Sequence, residues 1–178
     1  MSKIDQVYPR LPIWVQNWAC SYYGRKQAAI RFSPFFHEKL AWLNESQFWA
    51  ESRIRAYQDE QVREVVKHAY QTVSYYRRVF DELRLTPDDI KGVADLPKLP
   101  ILTKEDVRAH VEEMVSSDFR PGSLIHSHTS GTTGTSLQFY REREAIAFQW
   151  AVWWRHRGRF GVSFGERSAN FTGQPVVP

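Results

Sequence analysis

The chain has 178 residues, 42% hydrophobic and 25% charged, which is the balance of an ordinary globular protein and excludes a disordered one. A net charge of +4 is too small over that length to demand a nucleic-acid partner, although it suits a phosphate ligand. The one cysteine, Cys20, excludes an internal disulfide framework and a Cys-based metal site, and the expected setting is reducing and cytoplasmic.

The most apolar N-terminal stretch, LPIWVQNWACSYYG, is short and interrupted by Gln16 and Asn17, so no transmembrane segment is expected there and no cleaved signal sequence. At most it rests on a surface. With Asn44 as a candidate cap, the apolar positions Phe48, Ile54, Tyr57, Val62, Val65, Val66, Ala69 and Val73 recur every three to four residues and predict one or two amphipathic helices. SYYRRVFDEL continues as a short helix. Thr86 followed by Pro87, Asp88 and Asp89 is a helix start: threonine caps, proline is preset for the first turn, and the acids suit the dipole. That helix is brief, because Gly92 follows. DLPKLPILTKEDV reads as an extended, proline-punctuated linker ending at Thr103, which caps a further helix with Asp106 three residues on.

The character then changes. Leu124 to Thr129 alternates apolar and polar residues, SLQFY from Ser136 alternates again, and the loop between them therefore joins two strands. From Glu142 to about Arg159 a helix carries Ile146, Trp150, Trp153 and Trp154 along one side and stops at Gly158 or Gly161. RSANFTG is read as the next strand.

Between the two strands, the positions from Thr129 to Thr135 hold five hydroxyl side chains and two glycines, Gly131 and Gly134. A turn needs far less. A Walker phosphate loop is excluded, because Thr135 rather than lysine follows Gly134 and a strand rather than a helix comes next. The chemistry survives without lysine: glycines let the backbone approach an anion, successive N–H groups form a nest, and hydroxyls donate to several phosphate oxygens. Neutral donors call for a metal ion or basic groups nearby, and Arg141 and Arg143 are candidates by closeness in sequence. From composition alone a solvated polar hairpin loop stays open as the alternative.

TSGTTGTSLQFY resembles the phosphate-binding loop of the adenylate-forming superfamily, the acyl-CoA synthetases and their relatives. HAYQTVSYYRRVFDE, DIKGVADLPKLPILTKEDVR and FGVSFGERSANFTGQPVVP resemble the N-terminal part of its phenylacetate-CoA ligase branch, particularly the CapK-type members associated with capsular polysaccharide biosynthesis. The resemblance runs from about Tyr57 to Pro178. It implies that Ser130, Gly131, Thr132, Thr133 and Gly134, with Thr129 and Thr135, contact the β- and γ-phosphates of ATP. It further implies Mg2+, a small-molecule carboxylate that reacts with ATP to an acyl-adenylate, and coenzyme A as acceptor in the members that go on to thioesters. Many acyl-CoA synthetases follow the loop with Pro-Lys, where this chain has Ser136 and Leu137.

The fold class expected on this basis is α/β, and α+β in the portion present. About residues 1–120 would be the mainly helical N-terminal part, and about 121–178 would bring the phosphate-loop hairpin, a helix and a strand of the large domain. Because such enzymes are about twice this length or more, the chain is expected to be an N-terminal portion without the C-terminal lid, inactive by itself, with no catalytic residue to name. The alternative is a non-catalytic relative in capsular or exopolysaccharide biosynthesis.

Other residues carry plainer readings. His126 and His128 share a strand face and could begin a metal site, but no third ligand is recognisable. The helix REREAIAFQWAVWWRHRGRF mixes aromatic and basic residues as a nucleic-acid surface would, yet aromatics at helical spacing are core by preference. Trp14, Trp18, Trp42 and Trp49 are expected to cover a sheet or a neighbouring helix.

Overall fold

The computed structural model describes residues 11–120, 122–129 and 136–167. In chain order the helices are α1 (Ile13–Arg31), α2 (Pro34–Ser46), α3 (Glu51–Thr72), α4 (Ser74–Glu82), α5 (Lys104–His110) and α6 (Arg143–Gly158), with 3-10 turns at Pro87–Asp89 and Val93–Lys98. Strands β1 (Ile125–His128) and β2 (Gln138–Arg141) stand between α5 and α6 and pair antiparallel. Among the described residues the fold is thus mostly helical, with one two-stranded hairpin. The chain divides into two units, one of Met1–Asn44 with Ala147–Pro178, the other of Glu45–Ile146.

In the first unit the core is built around Phe36, Leu43, Ala147 and Ala151, with Phe32, Trp150 and Trp154 packed against it. The two alanines are fully buried, which lets the aromatic rings close over them. Phe32 meets Trp150 edge-on at 5.7 Å and Trp154 meets Phe164 at 5.1 Å, geometries that the ring quadrupole favours. Trp150 and Trp154 are therefore core, as helical spacing indicates, and arginines lie over them: Arg31 Cζ is 4.7 Å from the Trp150 ring and Arg157 Cζ 5.1 Å from that of Trp154. Trp153 is half-exposed instead.

Three expectations change, and a fourth lies outside the described residues. Asn44 lies inside α2, because the apolar spacing of Phe36 and Leu43 carries that helix through to Ser46, and the residue at the N-cap of α3 is Ala50. The linker before Thr103 is extended only in its last residues, since Val93–Lys98 winds as a 3-10 turn with Pro97 inside it. Of the four tryptophans expected as cover, Trp42 packs on the core and Trp49 lies under Arg53, whose Cζ is 3.7 Å from its ring. Trp14 and Trp18 do not: they are 74% and 68% exposed on α1. The strand expected at RSANFTG falls on residues 168–173, outside the described residues apart from Arg167.

The second unit buries Val66 of α3, Phe80 of α4 and Ile90, with Val62, Tyr70, Leu85 and Leu99 around them. Helices α3 and α4 are separated by Val73, whose backbone is extended and whose side chain is buried. The start of α4 finds its partner far along the chain. The Glu113 carbonyl accepts from Tyr75 N–H at 3.3 Å and from the Ser74 hydroxyl at 3.1 Å. Both predicted caps form. Thr86 and Asp89 close a capping box on Pro87–Asp89, and Thr103 and Asp106 close another at the start of α5, where the Thr103 hydroxyl accepts from Asp106 N–H.

Candidate nucleotide-phosphate loop

The hairpin that sequence alternation predicts is present, with Ile125 opposite Arg141, His126 opposite Tyr140, Ser127 opposite Phe139 and His128 opposite Gln138. Its strands hold the hydroxyl-rich loop at one end. At the loop's base Thr129 and Leu137 form a two-way clasp: Thr129 N–H donates to the Leu137 carbonyl at 3.0 Å, and Leu137 N–H donates to the Thr129 hydroxyl oxygen at 3.0 Å. The ladder is thereby prolonged one step beyond the last strand pair. Of the predicted loop residues Thr129 alone is among the described ones; Ser130, Gly131, Thr132, Thr133, Gly134 and Thr135 lie outside them. With its oxygen accepting from Leu137, the Thr129 hydroxyl still has its proton to donate.

Strand alternation sorts the hairpin into two faces. One carries Ser127, Phe139 and Arg141 toward the interior, where Arg141 Nε donates to the Ser127 hydroxyl at 3.0 Å and the Arg141 guanidinium lies 5.7 Å from the Phe139 ring. Arg141 pairs opposite Ile125, at the end of the hairpin away from the loop, about 10 Å along the strand from Gln138 at ~3.4 Å per residue. The hairpin therefore separates it from the loop that sequence closeness had joined it to. Arg143 is exposed in the first turn of α6.

The other face carries His126, His128, Gln138 and Tyr140. His126 Nε2 lies 3.2 Å from Gln138 Oε1, and its ring is 5.3 Å from that of Tyr140. The two histidines do share a face, yet among the described residues no group of three His, Cys, Asp or Glu is placed to hold a metal ion. The Tyr140 hydroxyl donates to Glu112 Oε1 at 2.8 Å, and that carboxylate pushes the phenol's pKa up. Next to it Glu113 pairs with Arg78 Nη2 at 2.8 Å and with His110 Nδ1 at 2.9 Å. The contact with His110 holds the Glu113 carboxyl below its ordinary range. These adjacent acids tie β2 and α4 to the end of α5.

Sequence reasoning missed the seat of the hairpin. Behind its inner face is a cavity of about 350 Å3 walled by Val107, Val111, Met114, Phe119, Leu124 and Phe139. The signal was there: Val107, Val111 and Met114 recur at helical spacing ahead of a hairpin whose second strand carries Phe139 by alternation. No helix among the described residues is long and apolar enough to cross a membrane.

No protein-family model matches the chain. Among curated proteins it is 24% identical over 175 residues to Protein CapK of Staphylococcus aureus, covering 98% of this chain and 37% of that protein. It is 37% identical over 86 residues to the phenylacetate-coenzyme A ligase of Aromatoleum evansii, covering 48% of this chain and 19% of that protein. It is also 37% identical over 82 residues to the phenylacetate-coenzyme A ligase of Escherichia coli strain K12, covering 46% of this chain and 18% of that protein. The chain thus spans between about a fifth and somewhat over a third of the length of these relatives, and within that span it is a homologue of CapK and of the phenylacetate-coenzyme A ligases.

Proposed function

We propose that the chain supplies the phosphate-gripping part of an ATP-dependent carboxylate-activating ligase. The observation that supports this most is the clasp between Thr129 and Leu137, which gives the hydroxyl- and glycine-rich loop a fixed base on an antiparallel hairpin. With Thr129 and Leu137 already bonded, the entropy of bringing the two ends of the loop together is not lost again when a polyphosphate binds.

In this reading Thr129 donates its hydroxyl, and residues 130–135 backbone N–H and hydroxyl hydrogen bonds, to the β- and γ-phosphates, and magnesium enters as part of the Mg–ATP substrate. A carboxylate oxygen attacks the α-phosphorus, the bond from that phosphorus to the bridging oxygen breaks, and pyrophosphate leaves as the acyl-adenylate forms. Neutral donors suit that step, because they stabilise charge building on the leaving pyrophosphate without holding it as tightly as lysines would. Where an acceptor such as coenzyme A follows, its thiolate displaces AMP and gives the thioester. The hairpin and α6 then belong to the large α/β adenylate-forming domain, with the helical residues before about 120 as its N-terminal part.

Carboxylate-dependent exchange of labelled pyrophosphate into ATP, measured on a full-length protein that contains this chain, tests the reading. Exchange that depends on an added carboxylic acid is the expected result, and its absence with a broad panel of aryl and alkyl acids overturns it. One observation favours a second reading, a non-catalytic relative in polysaccharide assembly: the match to CapK runs over 98% of the chain, whereas the matches to the Aromatoleum evansii and Escherichia coli ligases cover less than half. ATP binding without exchange would favour that reading.

A further inference from the structure

We propose that α1 docks the protein on an anionic lipid surface, lying in the plane of the headgroups. Trp14, Trp18 and Tyr22 follow one another at four-residue spacing and form a stripe along the helix, in which Trp18 and Tyr22 stack at 5.8 Å. The three rings are 74%, 68% and 63% exposed. Val15, Ala19 and Ile30 are half-buried, so a different strip of the helix is the one in contact with the protein.

Large aromatic rings in water cost free energy, and tryptophan and tyrosine have a polar atom on an apolar body, the combination that sits at a membrane interface. Charge selects the kind of surface. Arg25 continues the same stripe three residues beyond Tyr22, Lys26 is beside it, Arg31 ends the helix, and between Gln6 and His37 the chain holds no aspartate or glutamate. Both Arg25 and Lys26 are exposed. A helix with aromatic residues along one side, cations at one end and no anions is complementary to a negatively charged bilayer, where the rings enter the headgroup layer and the long basic side chains reach phosphates. At 19 residues the helix has the length to span but not the apolarity, which leaves lying on the surface as its mode.

Co-sedimentation of the 178-residue chain with vesicles tests this, using phosphatidylcholine alone and phosphatidylcholine with roughly one third phosphatidylglycerol. The chain is expected to pellet with the anionic vesicles only, with a blue shift in tryptophan emission, and to be released at roughly 0.5 M salt. Trp14→Ser with Trp18→Ser is expected to lower the apparent affinity at least about tenfold, and Arg25→Glu with Lys26→Glu to abolish the preference for anionic lipid. Phe48→Ser, which removes an 82% exposed ring outside α1, is expected to leave binding unchanged. Far-ultraviolet dichroism matched to the parent shows that each variant folds. Equal binding by the tryptophan double variant, or no binding to anionic vesicles, overturns the proposal. Self-association without lipid that the same two substitutions abolish also overturns it, and gives the face to a second copy of the chain.

Discussion

Asp59 and Gly92 are in closer approach than any side chain at position 92 would permit: a Cβ built on Gly92 falls 2.2 Å from Asp59 Oδ1 and 2.5 Å from its carboxyl carbon. The approach has a purpose. From α3, Asp59 Oδ1 accepts the N–H of Val93 at 2.9 Å, which fixes the first free amide of the 3-10 turn Val93–Lys98. Arg63 supports the same junction by donating to the Lys91 carbonyl at 2.7 Å.

Gly92→Ala is therefore expected to push the Asp59 carboxylate off Val93 and to destabilise this unit by about 1–2 kcal/mol, the loss of a charge-assisted hydrogen bond with local displacement. Asp59→Asn, which can still accept, should cost less. Urea unfolding of both variants measures it; a Gly92→Ala protein as stable as the parent would show that Asp59 relaxes freely.

Arg84 is the one non-glycine residue with positive φ among the described residues, at 56°. It follows α4 in a closing turn in which Arg84 N–H donates to the Asp81 carbonyl at 3.1 Å and Leu85 N–H to the Phe80 carbonyl at 2.9 Å. That turn sends Leu85 back onto the Phe80 cluster, the hydrophobic contact that accompanies a left-handed helix end. Glycine adopts this conformation without a Cβ penalty, so Arg84→Gly should stabilise the protein by roughly 0.5–1 kcal/mol, seen as a higher urea midpoint at unchanged slope. A lower midpoint would mean that the arginine side chain contributes more than its backbone costs.

What the sequence made legible is what lies within a few residues. Thr103 with Asp106 and Thr86 with Asp89 are caps that a four-residue window contains, and the hairpin follows from alternation on both sides of one loop. The contacts that assemble these pieces join residues far apart. Asp59 reaches Val93, Glu113 caps α4, Arg141 turns to Ser127, and no local pattern announces any of them. Arg141 shows the cost: three residues along a strand put it well away from the loop it adjoins in sequence. Trp14 and Trp18 fail the opposite way, because aromatic spacing on a helix gives a face but not what the face meets.

Acid should loosen the Glu45–Ile146 unit in a defined way. Asp89 is held below the ordinary carboxylate range by the backbone and hydroxyl of Thr86, Asp106 by the hydroxyl and backbone of Thr103, and Asp95 by Lys98 and the Lys91 amide. A pKa lower in the folded state means that the unfolded chain binds more protons. The stability these groups contribute is thus present above the unfolded value, near pH 4, and is lost as pH falls through the lower folded values. At the alkaline end Tyr140, raised by its bond to Glu112, contributes stability below about pH 10 that is lost as pH rises through its folded value. Thermal midpoints from pH 7 down to 3 should fall, and Asp106→Asn should flatten the fall; an equally steep fall in that variant would assign the acid sensitivity elsewhere.

Substitutions at position 129 separate the clasp from the loop it closes. Thr129→Ser keeps the hydroxyl oxygen that accepts from Leu137 N–H, whereas Thr129→Val keeps the shape and loses it, so the pair isolates that bond from side-chain volume. Thr129 is exposed, and neither change should disturb the fold. If the loop grips ATP as proposed, Thr129→Val in a full-length protein that contains this chain should raise the KM for ATP in carboxylate-dependent pyrophosphate exchange by roughly five- to tenfold, the equivalent of one hydrogen bond, with Thr129→Ser near the parent. Ser130→Ala with Thr133→Ala removes two of the hydroxyls that the proposed function gives to the phosphates. It should lower kcat/KM for ATP by roughly a hundredfold, about 2.7 kcal/mol, while thermal unfolding stays at the parental midpoint. Exchange at the parental rate in the Ser130–Thr133 double variant would remove the loop from phosphate binding, and an unchanged KM in Thr129→Val alone would leave the rest of the loop its role but deny one to the Thr129 hydroxyl, in the clasp and at the phosphates alike.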